Sequence, residues 1–255
     1  MLWVATWGGL NRFDATTERF SAYRHNPNDA TSLSDDSVQV ILEDSSGALW
    51  VGTENGGLNR LDRETGRFTR YQANPDDPYS LSYNYVSAIY EDRSGTLWVG
   101  TYGGGLDKLD RETGRFTHYR YAQDDPYSLS DNTVTAIYED STGAMWVGTE
   151  NGGLNQMDRQ TGRCARYQHD PAEPHSLSHD HVRVILEDQQ GVLWIVTYGG
   201  GLNQLDREGT AATGKGQFVH YRHVANTPHT LSHDHVWGGY EDRSGILWFG
   251  AAVFA

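Results

Sequence analysis

Six tryptophans, Trp3, Trp50, Trp98, Trp146, Trp194 and Trp248, mark a repeat along the chain at spacings of 47, 48, 48, 48 and 54 residues. A period of this size means that each copy is one small unit unable to bury its own faces, so stability must come from stacking copies. The segment Leu97-Trp98-Val99-Gly100-Thr101 has counterparts at Leu49–Thr53, Met145–Thr149 and Leu193–Thr197. Two further columns keep the same period: Phe20, Phe68, Phe116, Cys164 and Phe218, and then Tyr23, Tyr71, Tyr119, Tyr167 and Tyr221. Cys164 thus stands at a Phe position, where a buried thiol is expected rather than a nucleophile. The departures from 48 are local. Thr6–Gly9 is one residue shorter than Thr53–Gly57, and a Gly/Thr/Ala-rich insertion around Gly209 to Gly216 lengthens the copy containing Trp194 by six.

Within one period, Val86–Tyr90, Leu97–Thr101, Leu106–Leu109 and Phe116–Tyr119 read as short strands. Between them lie Glu91–Gly95, Tyr102–Gly105 and Asp110–Arg115, where Asp bonds its own backbone and Gly accepts positive φ. Four antiparallel strands per period predict an all-β chain, a β-propeller of four-stranded blades. The divisions are a partial blade over 1–34, blades over 35–82, 83–130, 131–178 and 179–232, and a partial blade over 233–255, in a single domain. Twenty-one strands suit five blades if the strand Val236–Tyr240 completes the N-terminal blade; Leu247-Trp248-Phe249 would then compete with Leu2-Trp3-Val4 for one slot. The alternative is a fragment of a larger propeller, since the tail Ala251–Ala255 leaves the repeat pattern. Unfinished blades would favour self-association.

Ile89 to Thr101, followed by Gly104-Gly105-Leu106 and Thr113-Gly114-Arg115-Phe116, resembles the two-component regulator propeller repeat. The resemblance implies an extracytoplasmic ligand-binding sensor domain of hybrid histidine kinases, with a periplasmic or extracytoplasmic location. It also implies a kinase module in a longer parent protein.

Composition narrows the partners. With 20 Lys and Arg against 34 Asp and Glu, the net charge of −14 argues against a nucleic-acid binder, which needs a basic surface. One cysteine allows no intramolecular disulfide. No apolar run approaches the roughly 20 residues of a membrane span, and no signal peptide follows Met1. No cofactor is expected.

In a four-stranded meander, the turns between strands 2 and 3 share one side with the connections between blades. The near-identical Glu-Asp and Asp-Arg turns fall on the opposite side and read as structural. On the first side the repeat breaks its own symmetry, as a site for one ligand must. Trp7, Glu54-Asn55, Tyr102, Glu150-Asn151 and Tyr198 vary in the turns; before strand 1, Asp35/Ser37 becomes Tyr83/Tyr85, Asp131/Thr133, His179/His181 and His233/His235. Aromatic faces beside carboxylates and amides suit an oligosaccharide or a similar polar small molecule. The candidate ligand-binding set is therefore Trp7, Glu54, Asn55, Tyr83, Tyr85, Tyr102, Glu150, Asn151, His179, His181, Tyr198, His233 and His235. Nine of eleven histidines fall between His169 and His235, making His179, His181, His233 and His235 the candidates for a metal, although a solvated polar loop is the favoured reading. Two other functions suit the same fold. A propeller lyase or glycoside hydrolase would use Glu54 and Glu150, and a scaffold would bind a protein across the same rim.

Overall fold

A computed structural model describes residues 2–207 and 216–251. Most of the insertion, residues 209–215, and the last four residues of the tail lie outside the described residues. The strands form where apolar residues alternate with polar ones between glycine-bearing turns, and they gather into two compact units, up to Tyr119 and from Arg120 onward.

The first unit holds β1 (Leu2–Thr6), β2 (Gly9–Asp14) and β3 (Arg19–Tyr23) in a three-stranded sheet. Two four-stranded sheets follow: β4 (Val38–Glu43), β5 (Leu49–Thr53), β6 (Leu58–Leu61) and β7 (Phe68–Tyr71), then β8 (Val86–Glu91), β9 (Leu97–Thr101), β10 (Gly105–Leu109) and β11 (Phe116–Tyr119). The second unit holds β12 (Val134–Glu139), β13 (Met145–Thr149), β14 (Leu154–Met157) and β15 (Cys164–Tyr167), and β16 (Val182–Glu187), β17 (Leu193–Thr197), β18 (Gly201–Asp206) and β19 (Gln217–Tyr221). It ends with a two-stranded sheet of β20 (Val236–Glu241) and β21 (Leu247–Ala251). All the sheets are antiparallel meanders, as expected of propeller blades. Among the described residues no helix is long and apolar enough to cross a membrane.

β20 pairs with β21, from Val236 opposite Ala251 to Glu241 opposite Leu247, and the short turn at Asp242–Gly245 closes this hairpin at little entropic cost.

Successive sheets stack through aliphatic and aromatic columns. Trp50, Val86, Leu97 and Phe116 join one core in the first unit, and Trp146, Val182, Leu193 and Phe218 join its counterpart in the second. Three of the Tyr residues that close sheets meet the Phe of the following sheet edge-on. Tyr23 with Phe68, Tyr71 with Phe116 and Tyr167 with Phe218 lie at 5.8, 6.0 and 6.1 Å, with interplanar angles of 83°, 84° and 85°. Cys164 takes the Phe place in β15 and is buried, and burial pushes its thiol up to about 12, so it is not a nucleophile at neutral pH.

The turn after each strand 1 is fixed by one carboxylate. Trp50 Nε1 donates to Asp44 Oδ2 at 2.7 Å, and the pairs Trp98/Asp92, Trp146/Asp140, Trp194/Asp188 and Trp248/Asp242 repeat this at 2.8 to 2.9 Å. The other oxygen of Asp44 accepts from Ser46 N, Ser46 Oγ and Ala48 N. Burial alone would raise the Asp44 carboxyl, but Ser46, Trp50, Ala48 and the Arg111 guanidinium hold it at about 2. Arg111 also reaches Glu91 at 2.7 Å, tying two sheets of the first unit together; Arg207 bridges Asp140 and Glu187 likewise in the second. Trp3 Nε1 is buried without a hydrogen-bond partner among the described residues.

Asp92→Ala is expected to destabilise the protein by about 2–4 kcal/mol in urea unfolding, because it strips Trp98 Nε1 and the turn amides of their buried acceptor. Asp242→Ala should cost clearly less, since Trp248 is 59% exposed where Trp98 is 1% exposed. Equal losses at the two positions would refute the assignment.

Candidate functional site

The connections between sheets are anchored from within, which determines where the candidate residues stand. Asn59, fully buried on β6, accepts from Ser34 N through Oδ1 and donates through Nδ2 to Ser34 Oγ and the Val51 carbonyl. Asn155 repeats this with Ser130 and Val147. The turn between strands 2 and 3 must come close to these anchors. Gly57 adopts φ +79°, its N–H donates to the Asn84 carbonyl at 2.9 Å, and a Cβ there would strike the Tyr71 carbonyl oxygen.

The residue pairs before strand 1 divide in role. The first member serves the loop. Asp35 Oδ2 accepts from Asn55 N at 2.8 Å, and Asp131 Oδ2 accepts from Asn151 N at 3.0 Å, with each Asn amide at 3.5 Å from the same oxygen. His179 Nδ1 accepts the N–H of His181 at 3.0 Å, and His233 Nδ1 accepts that of His235 at 2.9 Å. The second member meets the turn between strands 2 and 3. Ser37 Oγ donates to Glu54 Oε2 at 2.6 Å, and Tyr85 stacks on Tyr102 at 5.0 Å and 22°. Tyr102 is 39% exposed, Tyr83 is 50% exposed beside it, and Trp7 is 84% exposed.

In the second unit the candidates draw together around Tyr198, in the turn between β17 and β18. His235 stacks on its ring at 4.3 Å and 4°, His181 lies 5.4 Å away at 43°, and Trp237 meets it edge-on at 5.4 Å and 78°. His233 packs on His235 at 4.6 Å. A backbone bridge between Tyr198 and His235 fixes this stack. His181 Nε2 is buried with no hydrogen-bond partner. The histidines are therefore disposed as stacked rings, and among the described residues no three His, Cys, Asp or Glu side chains are grouped to hold a metal. Glu150 acts on His181 electrostatically, and its backbone N–H donates to the Thr133 carbonyl.

The sequence reading passed over one column. Every strand 1 carries a bulge, and its extra residues are Gln39, Ser87, Thr135, Arg183 and Trp237. A bulge frees a side chain from the ladder and re-aims it. The available signal was a strongly varying residue directly after the repeated Val of Val38, Val86, Val134, Val182 and Val236.

Comparison with known proteins agrees with this architecture. The model of the two component regulator propeller matches residues 32–55, 80–103, 128–151 and 176–199. The chain thus carries four copies of a stretch that matches the two component regulator propeller repeat. It is similar to the extracellular domain assigned to the hybrid two component system BT3049 from B. thetaiotaomicron, with 25% identity, TM-score 0.56, and coverage of 98% of this chain and 37% of that one. The extracellular domain assigned to the one component system BT4673 from the same organism shares 20% identity at TM-score 0.66, over 98% of this chain and 40% of that one. Virginiamycin B lyase from Staphylococcus aureus shares the fold at 16% identity and TM-score 0.62, over 99% of this chain and 81% of the lyase. The chain spans about two fifths of the length of the two extracellular domains. No curated protein matches it.

Burial lowers the proton affinity of His181, with Arg183 acting in the same sense and Glu150 against it; burial likewise lowers that of His179. A histidine kept neutral by the fold contributes stability above the ordinary histidine range, and this is lost as pH falls through its lowered value. The thermal midpoint should therefore fall between about pH 7.5 and about pH 5, and fall less in a His179→Asn/His181→Asn variant. His220, lowered by burial as well, should leave a residual slope. An unchanged slope in the double variant would show that these rings are not held neutral.

Proposed function

We propose that the chain is a non-catalytic ligand-binding propeller, the sensing part of an extracytoplasmic two-component receptor whose parent protein carries the kinase module. The ligand is an oligosaccharide or a similar polar molecule, received by the turns between strands 2 and 3 together with the connections between sheets. The observation that carries this reading is the Tyr198 cluster. Its stack of rings uses positions where other copies have Ser37, Thr133 or Glu54, so it is not required by the fold and departs from the repeat. Partly exposed aromatic faces held rigid by neighbours are suited to the C–H faces of sugar rings, and nearby imidazoles and Glu150 supply partners for hydroxyls. The 25% identity to a two-component extracellular domain supports the signalling context. Glu54, already bonded by Ser37 and Gln39, is tied into its own loop, which argues against its use as a catalytic acid.

Binding to a panel of neutral oligosaccharides, followed by calorimetry and by the thermal midpoint, tests the proposal. One glycan class should raise the midpoint, and Tyr198→Ala should weaken its binding about tenfold or more while the unfolding transition stays cooperative. A cooperative protein whose midpoint no glycan shifts would sink the sensor reading. Product formation abolished by a Glu54/Glu150 double substitution would replace it with an enzyme.

A further inference from the structure

The bulge residues of strand 1 differ in how they are satisfied. Gln39 Nε2 donates to Ser37 Oγ at 3.1 Å and to Glu54 Oε2 at 3.4 Å, and Thr135 Oγ1 donates to the Val182 carbonyl at 2.5 Å. Arg183 has no such partner. Among the described residues no carboxylate lies within ion-pair distance of its guanidinium, which instead stands 4.6 Å from the centre of the Trp237 ring. The contrast with the other side of the sheets is informative, because Arg111, Arg159 and Arg207 each engage at least one carboxylate there. In a chain with net charge −14, an arginine with no carboxylate at ion-pair distance among the described residues has its charge available to something else.

The geometry suits one kind of ligand. The guanidinium lies over the indole with its Cζ 4.6 Å from the ring centre, and its planar fork of N–H donors matches a carboxylate. Trp237 is 39% exposed and meets Tyr198 edge-on, so a wall of aromatic surface adjoins the cation. His181, two residues before Arg183, adds a ring nitrogen that lacks a protein partner. Glu150 acts on the same imidazole in opposition to Arg183, and this nearby negative charge opposes a dianion more than a monoanion.

We propose that Arg183 and Trp237 form an anion subsite for a carboxylate carried on a ring, with the guanidinium holding the carboxylate and the exposed surface of Trp237 and Tyr198 holding the ring. This rests on the ligand-binding reading of the Tyr198 cluster and narrows it to acidic ligands. Two sources share the chemistry, a uronic-acid sugar and an aromatic acid.

Calorimetry on the full chain with two matched pairs tests the subsite: a galacturonate disaccharide against its neutral galactose counterpart, and benzoate against benzyl alcohol. The acidic member of one pair should bind about tenfold or more tightly than its neutral partner, and that pair identifies the source. Arg183→Gln should reduce the preference to within about twofold. Arg183→Lys, which keeps the charge and loses the fork, should retain part of it, and added salt should weaken it. Equal binding of acid and neutral members, or a preference that survives Arg183→Gln, would overturn the subsite. Neutral glycans binding without acidic preference would leave the sensor reading intact. Failure of all four probes on a cooperatively folding protein would overturn the subsite, and a blank glycan panel would remove the sensor reading as well.

Discussion

A carboxylate placed six residues before each repeated tryptophan from Trp50 onward organises the structure. Indole is large enough to fill the space between two sheets, but its N–H must be satisfied once it is buried. Asp44, Asp92, Asp140 and Asp188 satisfy it from within the same hairpin, and the same side chain closes the turn by accepting backbone amides. One residue thus couples local turn geometry to the packing between sheets. Arg111 and Arg207 extend the coupling, since each reaches the Asp of one sheet and the Glu of the next.

This arrangement makes one side of the sheets nearly uniform and leaves the other open to variation. On the uniform side the carboxylates and amides are consumed by the fold. On the other side, the buried Asn59 and Asn155 and the close approach of Gly57 secure the connections by backbone and core contacts, so neighbouring side chains can change without loss of the sheet. Glu54 in one copy and Tyr102 or Tyr198 in others occupy the same turn position, each with a different companion from the residue before strand 1. The bulge adds a second variable position whose side chain is freed from the ladder. Arg183 and Trp237, from successive sheets, meet because each sits on such a bulge.

Much of the fold was legible in the sequence because a repeat states the same physical problem several times. The strands read from one period agree with β8 to β11 to within one residue at their ends. The edge-on contacts of the Tyr and Phe columns follow from the same periodicity, as does the burial of Cys164 at a Phe position. The site was legible only in part. Variation pointed to His179, His181, His233, His235 and Tyr198, but spacing alone left open whether these imidazoles converge on a metal or stack on a ring. It also gave no weight to Arg183, because a lone arginine between two apolar residues looks like an ordinary exposed strand position.

The sequence by itself determined the period, the turn chemistry and the alternation that make each copy a four-stranded meander, since these depend on residues close together in the chain. Tertiary structure decided that the histidines of two loops close around Tyr198, and that the Arg183 guanidinium lies over Trp237 with no carboxylate at ion-pair distance among the described residues. These depend on how bulged strands from successive copies are set beside one another, and contacts between residues some 50 positions apart arise from packing rather than from local pattern.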